Sequence, residues 1–314
     1  MFARRALPHK FLPATIAFSF ILFPHFIHAQ QCPMAHDPKA LKSLQERAAT
    51  GDADAQCGLG KQYEFALGVP QDTQQAVLWL QKSAEQGDVF AQVELAVVFD
   101  KLQDYAQALI WYRIAADQGN ARAEYNLAVA YEEGEAVPKD SAQAKVWYRK
   151  AADHGDVLAE SNLGVAYEHG VGVPQDFAQA AAWYRKAAED GLAEAQYGLG
   201  SLYLHGQGVP QDFAQAVTWM RKAAEQGETK AQYNLGACYI NGTGVDRDLN
   251  EGYFWILLAN VRTPDSGLRA EAENALGSLN TAMKKGDIKN AQRRAQAWLK
   301  EHPVKIGTLP EPQS

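Results

Sequence analysis

The 314-residue sequence is poor in cysteine, with three, and has no apolar run of membrane-spanning length after residue 27. Three cysteines are too few for a disulfide-dense mini-domain or a cysteine-built zinc site. Proline (13) and glycine (25) are too scarce for collagen-like or low-complexity chains. Cations are outnumbered 30 to 37, and the net charge of −7 argues against a protein that coats nucleic acid. What remains is an ordinary globular balance of 47% apolar and 21% charged residues. Alanine is the exception: its 53 residues favour helix, where Ala loses no side-chain entropy. Length alone suggests two domains.

The apolar run lies at the start. Arg4, Arg5 and Lys10 precede an apolar stretch over 11–27, and a small residue, Ala29, follows. That is the three-part build of a secretory signal peptide, with cleavage expected after Ala29 and a periplasmic or secreted product. Pro13 and Pro24 make the stretch a poor uncleaved anchor. The arginine pair leaves the choice between general and twin-arginine export open. Gln30 and Gln31 stand before Cys32 where a lipid-modified N-terminus needs small residues. Residues 1–29 hold three cations and no anion, so cleavage leaves a net charge of −10.

Tryptophans at 79, 111, 147, 183, 219 and 255 are spaced by 32 residues once and by 36 thereafter. A period in this range signals a solenoid. The units open at Gly51, Gly87, Gly119, Gly155, Gly191 and Gly227, and the second lacks four residues of its loop. In the fifth unit, Ala195, Leu199, Leu202 and Tyr203 predict one amphipathic helix over 193–205. Ala216, Trp219, Met220 and Ala223 predict another over 213–225. Neither two-turn stripe can bury itself alone, so neighbouring units must supply the other wall. Asp72, Asp104, Asp140, Asp176, Asp212 and Asp248 precede the second helices. Gln75, Gln107, Gln143, Gln179, Gln215 and Glu251 follow three residues later, a capping-box pattern. Gly60, Gly164, Gly200 and Gly236, with Ala96 and Ala128, recur in mid-helix and imply close helix approach.

The strings AEAQYGLGSLY (193–203), GQGVPQD (206–212) and WMRKAAEQG (219–227) resemble the Sel1-like repeat, a relative of the tetratricopeptide repeat. The resemblance implies an all-α fold, a right-handed α/α superhelical solenoid of helix-turn-helix repeats. Residues 30–50 then form a flexible stretch and a half-repeat cap helix. Six repeats follow at 51–86, 87–118, 119–154, 155–190, 191–226 and 227–262. Capping helices occupy 263–302, with Ala291, Ala295 and Trp298 as a buried face, and 303–314 form a disordered tail.

Chemistry is sparse. The repeated aspartates are explained as caps, and no nucleophile, zinc-protease or phosphate-loop motif is present. His169 and His205 occupy equivalent loop positions, but stacked units hold them about 8–10 Å apart, too far to share a metal. No metal, cofactor or catalytic residue is expected. Cys57 and Cys238 lie five units apart, which leaves Cys32–Cys57 as the candidate disulfide. Some exported relatives carry a cysteine pair in each repeat and are associated with β-lactam chemistry. This chain lacks those pairs, so a hydrolase acting on cell-wall or β-lactam-like substrates is the alternative reading.

In the family the first helices usually line the concave side. Opposite their buried stripe, one row reads Cys57, Val93, Tyr125, Ser161, Tyr197 and Tyr233. A second reads Glu64, Asp100, Glu132, Glu168, Leu204 and Ile240. The expected binding surface is Tyr125, Tyr197 and Tyr233 as aromatic anchors, Glu132 and Glu168 setting charge preference, and Leu204 and Ile240 at the apolar end. Solvated acids and tyrosines packed between units are the competing description. Residues 281–305 carry net +5, leaving −14 on residues 30–280. This basic end is either a solvated helix or a weak contact for an anionic partner or membrane surface. The expectation is an exported, monomeric, non-enzymatic adaptor, scaffold or regulator that binds a protein or peptide, not nucleic acid.

Overall fold

The computed structural model describes residues 32–303. The expected signal peptide, and the expected tail from residue 304, lie outside the described residues. Among the described residues there are fifteen α-helices and no strand. A lone helix, α1 (Pro38–Ala49), precedes six pairs: α2 (Ala53–Phe65) with α3 (Thr73–Ala84), α4 (Val89–Lys101) with α5 (Tyr105–Ala116), α6 (Ala121–Glu133) with α7 (Ser141–Asp153), α8 (Val157–His169) with α9 (Phe177–Glu189), α10 (Ala193–His205) with α11 (Phe213–Glu225), and α12 (Thr229–Asn241) with α13 (Leu249–Arg262). Two longer helices close the array, α14 (Ser266–Ala282) and α15 (Lys285–Glu301). Each helix from α1 to α13 packs on the next, and α15 returns to α13, so the chain is an α/α solenoid.

Alanine makes the crossings. Ala55, Ala91, Ala123, Ala159, Ala195 and Ala231 hold one position of the first helices and are fully buried. The mid-helix glycines have the same cause: a Cβ on Gly164 would lie 2.5 Å from the Tyr184 ring. The loops of the first, fourth, fifth and sixth repeats also dock backward. Gly172 has φ +70°, and a Cβ there would strike the Ser141 carbonyl at the start of the preceding unit's second helix.

The capping aspartates act as expected, with one correction. Asp72, Asp140, Asp176, Asp212 and Asp248 each accept two backbone N–H bonds at the second-helix entry. Gln75 and its equivalents do not reach back to close a box. The aspartate N–H is already bonded to the first helix: Asp72 to Tyr63 O, Asp140 to Tyr131 O, Asp176 to Tyr167 O and Asp212 to Tyr203 O, at 2.8–3.1 Å. The cap therefore joins the two helices of a repeat as well as starting the second.

Residues 32–36, expected to be flexible, are held against α2. Cys32 is bonded to Cys57 with a Cα separation of 5.2 Å. The Ala35 carbonyl accepts from Gln62 Nε2 at 2.9 Å, and the Pro33 carbonyl fills the space where Gly58 lacks a side chain. This extended segment covers the face of α2 that the first helix of a preceding repeat would otherwise cover.

Candidate functional site

The first row is discontinuous as a surface. Cys57, Val93 and Ser161 are buried, and only Tyr125, Tyr197 and Tyr233 reach solvent. Tyr125 packs on Tyr148 with ring centroids 5.7 Å apart. The Tyr197 hydroxyl accepts from Asn234 Nδ2 of the next repeat at 3.4 Å. Burial raises the hydroxyl pKa of all three, helped by Asp156 at Tyr125, Glu228 at Tyr197 and Glu271 at Tyr233. They act as neutral hydrogen-bonding aromatics.

The second row is committed to internal bonds. Tyr112 donates to Asp100 at 2.6 Å, Tyr148 to Glu132 at 2.7 Å and Tyr184 to Glu168 at 2.7 Å. Lys145 adds a second bond to Glu132 at 3.0 Å. In the last two repeats the tyrosine position holds Met220 and Ile256, and there the acid position holds Leu204 and Ile240, both part of the C-terminal core. From the second repeat to the sixth, the acidic or apolar residue of this row thus matches its partner on the second helix; in the first repeat Glu64 faces Leu80 and takes Lys61 and Lys101 as partners instead. Glu132 and Glu168 have their carboxylates engaged with α7 and α9 rather than offered to a partner.

Toward the N-terminal end the same face is crossed by an ion-pair network. Glu64 meets Lys61 at 3.1 Å and Lys101 at 2.6 Å; Glu94 pairs with Lys61 and with Arg122 at 2.6 Å. Burial works against the Glu94 anion, but Lys61 and Arg122 outweigh it and hold its carboxyl below the usual range.

The C-terminal end is open. A pocket of about 310 Å³ lies between α10, α12 and α14, lined by Tyr197, Lys230, Tyr233, Asn234, Asp265 and Glu271. Two of the three expected anchors share it, and Tyr125 lies two repeats away. Tyr233 has no asparagine clasp like that of Tyr197, because α14 does not continue the repeat sequence; it faces Glu271 instead. Lys230 and Asn234 were missed from the sequence; their spacing of i and i+4 on α12, with Tyr233 at i+3, is the signal that places them together. Glu271 carried no repeat signal.

His205 Nδ1 lies 2.9 Å from the Ser201 carbonyl, and the described residues contain no group of three metal-ligating side chains that could hold an ion. On α15, Lys285, Lys289, Arg293 and Lys300 form one exposed stripe at i, i+4, i+8 and i+15. Arg294 is drawn away to Glu251 at 2.6 Å.

Six copies of the Sel1 repeat match the chain, at residues 53–88, 90–120, 121–156, 157–192, 193–228 and 229–259. A protective antigen of uropathogenic Escherichia coli with an SLR fold superposes with a TM-score of 0.77 at 32% identity, over 89% of this chain. The chain spans 61% of that antigen's length. A Sel1 repeat protein from Oxalobacter formigenes superposes with a TM-score of 0.66 at 33% identity, covering 76% of this chain and 71% of that one. No curated protein matches the chain.

Proposed function

We propose that this chain, which belongs to the Sel1 repeat family, is an exported protein- or peptide-binding scaffold whose principal contact is the C-terminal pocket of its first-helix face. The pocket carries the reading because it is where partly exposed aromatic side chains coincide with Lys230 and Glu271, exposed charges engaged in no ion pair among the described residues. Tyr197 and Tyr233 supply apolar area, and the Tyr197 hydroxyl is held by Asn234. Asp265 and Glu271 outnumber Lys230 in the lining, and residues 30–280 carry −14. This favours a partner segment that inserts a lysine or arginine side chain against the tyrosines. The basic stripe of α15 adds a weak contact for an anionic surface. The scaffold works as a monomer after loss of residues 1–29.

An array of extended peptides varying in charge tests the reading. Peptides with a basic residue should be retained by the native chain and lost by a folded Tyr197→Ala, Tyr233→Ala variant. Equal retention of acidic peptides, or unchanged binding by the variant, would overturn it. N-terminal sequencing of protein recovered outside the cytoplasm should begin at Gln30. Vesicles of anionic lipid should bind the native chain more than a Lys285→Gln, Lys289→Gln, Arg293→Gln, Lys300→Gln variant.

A further inference from the structure

Buried glutamines tie successive repeats together. Gln56, Gln92, Gln196 and Gln232 hold one first-helix position, and each donates Nε2 to a carbonyl at the end of the preceding second helix. The acceptors are Ala48, Ala84, Ala188 and Ala224, at 3.0–3.2 Å. On the other side, Gln86 donates to Gln56 Oε1, Gln118 to Gln92 Oε1 and Gln226 to Gln196 Oε1, at 2.7–2.8 Å. The rungs at Gln56, Gln92 and Gln196 each link a first helix to two helix ends, and that at Gln232 to one.

Two adjacent rungs in the middle of the solenoid differ. In the third repeat the pair is Glu124 and His154, joined at 2.7 Å. In the fourth it is Glu160 and Asp190, two acids where the first, second and fifth repeats have two amides. Glu160 is 6% exposed, and its Oε2 is buried with no hydrogen-bond partner. As a carboxylate it cannot donate to the Ala152 carbonyl, the acceptor its position faces by register, and it stands at the negative end of α7. As a neutral acid it can donate there, with O–H in place of the amide N–H.

We propose that the Glu160 rung is a proton-operated joint: neutral Glu160 ties α8 to the end of α7 and so the fourth repeat to the third, and ionised Glu160 releases that tie. The charged groups around it are Lys186 and Asp190 from α9, Asp156 at the start of α8, and His154 at the end of α7, which is engaged by Glu124. Lys186 is drawn over the Trp183 ring at 4.2 Å. Burial, with Asp190 and Asp156, outweighs Lys186 and raises Glu160 to about 6. The folded value lies above the ordinary one of 4.5, so the stability from this rung is complete below 4.5 and lost as pH rises through 6. The joint is tight in mild acid and loose above neutrality. It lies between Tyr125 on α6 and the Tyr197–Tyr233 pocket, so pH sets the spacing of these anchors.

Urea unfolding of the full chain between pH 5 and 7.5 tests this, comparing native protein with Glu160→Gln, which restores the amide of the other rungs. The native unfolding equilibrium constant should rise roughly tenfold more than the variant's over this range, with the variant more stable at pH 7.5. Hydrogen exchange at residues 152–160 should show the same divergence after correction for intrinsic rates. The divergence should persist in a His154→Gln background. Parallel pH profiles, or a divergence abolished by His154→Gln, would overturn the proposal.

Discussion

Tyr184 on α9 donates its hydroxyl to Glu168 on α8 at 2.7 Å, and the equivalent residues one repeat later are Met220 and Leu204. From the second repeat to the sixth, the two positions hold either a hydrogen-bonded pair or an apolar one. Glu168→Leu alone leaves a buried hydroxyl unpaired and should cost about 1–3 kcal/mol. Adding Tyr184→Met recreates the fifth repeat's pair and should recover most of the loss. A double-mutant cycle by urea denaturation should give a coupling of about 1 kcal/mol or more.

Two glycine-to-alanine changes should act with opposite sign. At Gly164 the new methyl meets the Tyr184 ring at 2.5 Å, so the variant should lose about 1–3 kcal/mol. At Gly277, exposed within α14, nothing lies within 4 Å, and Ala should add about 0.5–1 kcal/mol through its helix propensity. Thermal unfolding of the two variants checks both signs.

The Cys32–Cys57 link closes a loop whose cysteines are 25 residues apart. Chain-entropy arguments assign such a loop about 3 kcal/mol. Reductant should lower the melting temperature of the native chain and leave a Cys32→Ser, Cys57→Ser variant unmoved. Limited proteolysis should cut near residues 33–36 only when the link is absent, since Gln62 alone then holds the segment.

The repeat, its helix pairs and their entry caps were legible because they depend on spacing alone. The expected helices over 193–205 and 213–225 coincide with α10 and α11. What spacing could not show is which neighbour a polar side chain chooses. Gln75 looked like the closing half of a capping box, but the Asp72 N–H had already found Tyr63. Glu132 and Glu168 looked available to a partner because their row faces away from the core stripe, yet Tyr148 and Tyr184 reach across from the second helix. The buried glutamines stand in the sequence at 56, 92, 196 and 232, but their amides matter only because helix ends expose carbonyls there. Of the binding surface, Tyr197 and Tyr233 do meet in one pocket. Glu271 was invisible because α14 falls outside the repeat pattern.

The loop of the fourth repeat docks on Ser141 and that of the fifth on Phe177, and each rung reaches only its neighbours, so the contacts of the fourth repeat are local in sequence. A duplicate of residues 155–190 placed after Asp190 would repeat the loop docking and move the C-terminal pocket one helix pair away from Tyr125. It would also install a second acid–acid rung. The length of the reach and its response to protons are therefore inherited in the same 36-residue piece.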